Sequence, residues 1–162
     1  MASGDYRWLW GRWGKELFPG GLANEREIEA VLDSPYDRRL DESKYWHLDD
    51  ILGVLRHSFE FARMVLSNET AGSMRNKEIG PFDDNDMWSE IRLANYSGVR
   101  LDSEDPAKIH ITLEATFRHR YWEHITHLYN IQRLKRAQGL NTVVEIPIEG
   151  YLALPTWDLS QP

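Results

Sequence analysis

Ile109-His110-Ile111-Thr112-Leu113-Glu114-Ala115-Thr116-Phe117-Arg118 alternates apolar and polar side chains without a break. Successive side chains of a strand point to opposite faces. The run therefore predicts a β-strand with Ile109, Ile111, Leu113, Ala115 and Phe117 toward the core and the other five toward solvent. Upstream the same period continues in shorter pieces. Ile91 and Leu93 alternate with Glu90 and Arg92, and Val99 and Leu101 with Arg100 and Asp102. Asn95-Tyr96-Ser97-Gly98 and Asp102-Ser103-Glu104-Asp105-Pro106 supply turn chemistry between these pieces. The expectation is an antiparallel meander with one face buried.

Around this sheet the period is helical. From about Arg120 onward, Tyr121, Ile125, Leu128 and Ile131 share one face. Arg133, Lys135 and Arg136 fall in the last turns, where cations offset the helix dipole, and Gly139 is placed to stop the helix. Residues 142–148 and 151–154 flank Glu149-Gly150, which predicts a C-terminal hairpin or an extended tail, with Pro147 confined to an edge. Toward the N-terminus, Leu48, Ile51, Leu52, Leu55, Phe59 and Leu66 recur at helical spacing and predict one long amphipathic helix over 43–67. Asn24 and Glu27 stand where a capping box opens a shorter helix that Ser34-Pro35 ends. Residues 68–87 read as loop. The fold class is α+β: N-terminal helices, an antiparallel sheet of about three to five strands, one helix of the C-terminal half packed on it, and the hairpin or tail.

At 162 residues the chain is one domain's worth, so the reading divides it into an aromatic N-terminal arm, 1–22, and a single α+β domain, 23–162. Three tryptophans, Trp8, Trp10 and Trp13, crowd the arm, and Trp157 stands near the other end. Each indole offers roughly 150–250 Å² of surface that must be covered. The expectation is that these four rings bind a partner chain, with packing on the chain's own core as the competing outcome.

Several chemistries are excluded or disfavoured. There is no cysteine, hence no disulfide, thiolate metal site or thiol nucleophile. No apolar run approaches the roughly 18–20 residues of a membrane span, and Met1-Ala2-Ser3-Gly4-Asp5 does not open a signal peptide. A location in the cytoplasm or within a virus particle is expected. The formal charge of −7 disfavours non-specific binding to nucleic acid. Residues 106–140 are the basic exception, and Arg118, Arg120, Arg133 and Arg136 are their candidate phosphate contacts. Neutralisation of the chain's own acidic body is the simpler role for them. Asp83-Asp84-Asn85-Asp86 lacks the glycine and distal glutamate of an EF-hand loop. His124 and His127 share a helix face but do not have zincin spacing, so neither a metal nor any other cofactor is expected. No phosphate-binding glycine loop and no Gly-x-Ser-x-Gly elbow is present.

Two short resemblances bear on catalysis. Ile109-His110-Ile111-Thr112-Leu113 resembles the His-x-Thr motif of the 2H phosphoesterases. That resemblance implies two such motifs on facing strands, their histidines acting as acid and base on a phosphodiester. The second copy here, His124-Ile125-Thr126, falls in a segment read as helix. Separately, Arg118 and His124 within Phe117-Arg118-His119-Arg120-Tyr121-Trp122-Glu123-His124 resemble the Arg-x4–6-His signature of HEPN-type ribonucleases. There the resemblance implies an arginine on phosphate and a histidine assisting cleavage in a helical bundle.

The functional expectation is a non-enzymatic protein–protein interaction or assembly subunit, as in a phage or virus particle, with other protein chains as partners. An acidic inhibitor or immunity protein of a basic toxin is one alternative. A phosphodiester-cleaving enzyme using His110 or the Arg118/His124 pair is the other.

Overall fold

A computed structural model describes residues 2–36, 38–93 and 98–160. The chain falls into two compact units, Met1–Ile79 and Gly80–Pro162.

The first unit is helical. α1 (Gly4–Tyr6) runs into a wide π-type turn (Arg7–Arg12), and α2 (Gly14–Leu17) follows. α3 covers Glu25–Leu32 and α4 covers Leu48–Ser67, starting five residues later than the periodicity suggested. α4 turns Val54, Ser58, Phe61 and Val65 inward at alternating steps of four and three, one stripe of a 3.6-residue helix. α1 lies against it. Phe61 collects two rings from the N-terminal segment, Tyr6 at 5.4 Å and Phe18 at 5.6 Å between centroids. Buried Ser58 is satisfied by its own helix, its hydroxyl donating to the Leu55 carbonyl at 2.9 Å.

Residues 68–87, read as loop, hold two elements. Thr70 caps α5 (Ala71–Asn76) in a reciprocal box: its hydroxyl accepts from the Ser73 amide, and the Ser73 hydroxyl accepts from the Thr70 amide. β1 (Glu78–Asp83) follows. At α3 the expected box does not form, for Asn24 makes no side-chain cap.

The second unit carries the sheet, in the order β1-β3-β2. β2 (Val99–Leu101) and β3 (Lys108–Thr112) are antiparallel, with Val99 opposite Ile111 and Arg100 opposite His110. Ile109 and Ile111 are fully buried, as the alternation requires. The strand then stops five residues after it starts. Thr112 turns the chain: its hydroxyl accepts the Ala115 amide at 3.1 Å and caps α7 (Leu113–Ala137). Leu113, Ala115 and Phe117 are thus helical, and the expected strand over 109–118 is corrected to strand up to Thr112 and helix from Leu113 onward. Ile91 and Leu93 belong to α6 (Asp86–Leu93), a helix where a strand was expected. The turn expected at Asn95-Tyr96-Ser97 lies outside the described residues.

α7 ends as anticipated. Gly139 adopts φ 71°, its amide reaches the Arg136 carbonyl at 2.9 Å, and that of Leu140 reaches Lys135 at 2.9 Å. Beyond it no hairpin forms among the described residues. The chain continues without helix or strand to a 3-10 turn, Gly150–Ala153. Leu152 enters a cluster with Ile125 and Tyr129 of α7, against which Trp122, Ile146 and Trp157 pack. The α+β class holds, with a C-terminal tail.

Candidate interaction surface

The four tryptophans are held by packing within their own units. Trp13 is fully buried and Trp8 nearly so, with the Arg12 guanidinium 3.9 Å above the Trp8 ring. Trp10 is half-buried, 6.1 Å from Phe18. Trp157 is half-buried against the Ile125, Tyr129 and Leu152 cluster. Sheltering these rings leaves a partner little of Trp8 or Trp13 to touch.

The four candidate phosphate ligands are spread along α7 and largely paired. Arg118 donates to Glu114 at 2.6 Å. Arg120, buried, is held by Glu123, and its Nη2 lies 3.3 Å from His124 Nε2. A buried guanidinium needs such a carboxylate, because its desolvation is otherwise uncompensated. Arg133 reaches Asp158 at 3.3 Å and the Ser160 hydroxyl at 3.1 Å. Arg136 is exposed in the last turn. It is Arg120, four residues from His124, that meets this imidazole, while Arg118 turns to Glu114.

His119 and His110 have structural partners, whereas His47, His57 and His127 are exposed. Buried His119 bonds the Tyr151 hydroxyl through Nδ1 and lies 5.1 Å from the Trp88 ring. Among the described residues no three histidines or carboxylates are placed to hold a metal ion. The Thr112 hydroxyl of the His-x-Thr resemblance accepts the Ala115 amide at the cap of α7. His110 Nε2 lies 2.6 Å from Asp102 Oδ2. An ionised carboxylate only accepts, so Nε2 carries the proton of this bond. Asp102 also accepts the Glu104 and Asp105 amides at 2.9 Å. The His110 bond first, and then these two amides, hold its carboxyl down at about 2.

Where α7 ends, the surface changes character. Ile131, Leu134, Leu140, Val144 and Ile148 are all exposed, and Val143 is 86% exposed. Asn130, Arg133, Leu134 and Ala137 line a cavity of about 310 Å³ beside them. Gln132, buried in α7, donates to the Val144 carbonyl at 2.8 Å and fixes one point of the passing chain. Among the described residues, no amide of residues 141–148 bonds another main-chain carbonyl. Thr142, Val143, Val144, Ile146 and Ile148 are β-branched, so a segment with strand composition lies outside any helix or strand and without main-chain pairing. That composition is visible in the sequence, where it fits a hairpin closed by 151–154 or an extended tail.

No known protein family, curated protein or solved structure matches the chain. Among the described residues no helix is long and apolar enough to cross a membrane.

Proposed function

We propose that this chain is a non-enzymatic assembly subunit, and that residues 141–148 pair with the same segment of a second copy. The segment's lack of main-chain pairing carries the reading. An exposed backbone edge with β-branched side chains is a template for another strand, and folded proteins ordinarily cover or charge such an edge. Here the apolar side chains around it, Leu134 and Leu140 among them, are exposed as well.

Side-chain chemistry favours one register. With Val143 opposite its own copy in an antiparallel pair, Thr142 faces Val144, Asn141 faces Glu145, and Leu140 faces Ile146. Glu145 then avoids its twin, and Pro147, which has no amide to donate, falls at the end of the ladder. The bond from Gln132 to the Val144 carbonyl restrains the segment before any partner arrives, which lowers the ordering cost of pairing.

Light scattering on the full chain and hydrogen exchange on 141–148 test the reading. The wild type should exceed the mass of one chain as concentration rises, and the 141–148 amides should gain protection in step. Val143→Lys, a change at an exposed position, should remove both effects. Amides that stay unprotected at every concentration would overturn it.

A further inference from the structure

The last turns of α7 form one wall of a hollow whose polar groups are not fully used. Asn130, Arg133, Leu134 and Ala137 follow one another at steps of three, one and three, so they make a single stripe on the helix. All four line the cavity of about 310 Å³. Small-molecule sites begin at roughly 300 Å³. The volume here is about twice the roughly 150 Å³ of apolar space that takes up a benzene ring. A ring with a short polar head therefore fits.

The lining divides into an apolar part and a polar part. Leu134, 63% exposed, and Ala137 are apolar. Asn130 is half-buried, and among the described residues its carboxamide has no hydrogen-bond partner. Arg133 reaches Asp158 Oδ2 at 3.3 Å, the Asp158 carbonyl at 3.4 Å and the Ser160 hydroxyl at 3.1 Å. All three are longer than the about 2.7–2.9 Å of a strong charge-assisted bond. Asp158 does not depend on Arg133. The Ser160 amide, and then the Ser160 hydroxyl, hold its carboxyl below its ordinary value ahead of Arg133. Its side chain is also 69% exposed. The guanidinium can thus turn to another carboxylate without stranding a buried charge.

We propose that this cavity binds a small organic carboxylate, its apolar body against Leu134 and Ala137 and its head between Arg133 and Asn130. A guanidinium presents two parallel N–H groups that match the two oxygens of a carboxylate. The Asn130 amide adds a neutral donor beside them. Asp158 selects a singly charged head over the phosphate that Arg133 suggests in the sequence. The second charge of a phosphate would face this carboxylate in a chain of formal charge −7. The site stands apart from the strand pairing of 141–148 and does not rest on it.

Calorimetric titration and NMR on the full chain test it. The probe is 3-phenylpropionate, and 3-phenylpropanamide is its uncharged counterpart. One probe should bind per chain, and the Asn130 side-chain amide resonances should shift as it does. The wild type should favour the acid over the amide by about tenfold, the size of one hydrogen bond to a charged group. Arg133→Gln should abolish that preference and leave the affinity for the amide unchanged, a result that loss of folding could not give. Asn130→Asp sets a like charge against the head and should weaken the acid by about tenfold. Equal affinity of the wild type for acid and amide would overturn the proposal, as would acid binding that Arg133→Gln leaves intact. So would the absence of binding at about 10 mM, because a probe of this size binds below that concentration even at low efficiency per atom.

Discussion

Asp102 and His110 face each other at 2.6 Å, Oδ2 to Nε2, across the turn joining β2 to β3. The Asp102 amide also donates to the Lys108 carbonyl at 2.9 Å, so side chain and backbone close the same turn. The pair fixes where β3 begins, and through β3 where α7 begins.

A pH dependence follows from its charge. The Asp102 carboxyl sits at about 2 in the folded chain, below its ordinary 3.8. A carboxylate depressed by folding contributes stability above its unfolded value, and that contribution is lost as pH falls through the folded value. Thermal melts between pH 3.8 and about 2 should therefore show a steeper decline for the wild type than for Asp102→Asn. Parallel declines would show that the carboxylate adds nothing to the turn.

Trp13 is fully buried in the first unit, so Trp13→Ala leaves a cavity that its neighbours cannot close. The expected loss is roughly 3–5 kcal/mol, read by urea denaturation followed through near-ultraviolet circular dichroism. Deleting residues 1–14 should likewise unfold the unit. A truncated chain that stays folded would show that the ring-rich segment is an appendage.

Thr112→Ala removes the side-chain acceptor for the Ala115 amide at the root of α7. The cost should be about 1 kcal/mol, and Thr112→Ser should recover most of it because the hydroxyl is what caps. Chemical denaturation of the three proteins compares them directly.

Gly150 adopts φ 57°, and a β-carbon built there meets the Trp122 ring. Gly150→Ala should cost about 1–3 kcal/mol through overpacking alone, with backbone strain added to it. The expected signs are a lower melting temperature and a changed tryptophan fluorescence spectrum. An unchanged spectrum would mean that the tail does not rest on Trp122.

How far the fold is legible in the sequence differs from element to element. α4 is clear because its apolar positions recur over five turns, which no strand pattern imitates. α6 is not, since Ile91 and Leu93 alone fit a period of two, while the helix is fixed by Trp88 and Ile91, both buried one turn apart. The alternation at 109–118 is misleading past Thr112. In a helix Leu113, Ala115 and Thr116 are all buried, so apolar Ala115 mimics the next inward strand position by accident. Cap chemistry misleads in the opposite sense. Asn24 and Glu27 have the residue types of a box without its bonds, whereas Thr70 and Ser73 have the bonds without the usual glutamate.

The candidate surface was legible by composition and not by place. Aromatic content pointed to the tryptophans, yet large rings gain most by filling a core, and Trp8 and Trp13 do so. The β-branched residues of 142–148 carried a strand signal whose second strand 151–154 was expected to provide. Tyr151 and Leu152 are instead drawn onto α7.

Because Thr112 is at once the last residue of a strand and the cap of a 25-residue helix, no slack separates the two elements. One residue inserted between Ile111 and Leu113 would swing everything downstream by about 100° around the helix axis. His119 would then turn away from Trp88 of α6, which lies upstream of the insertion and would not move with it. Length variation should accordingly be tolerated in 103–107, where the chain is exposed, and forbidden at this joint. An insertion scan across both segments would map that boundary to a single peptide bond.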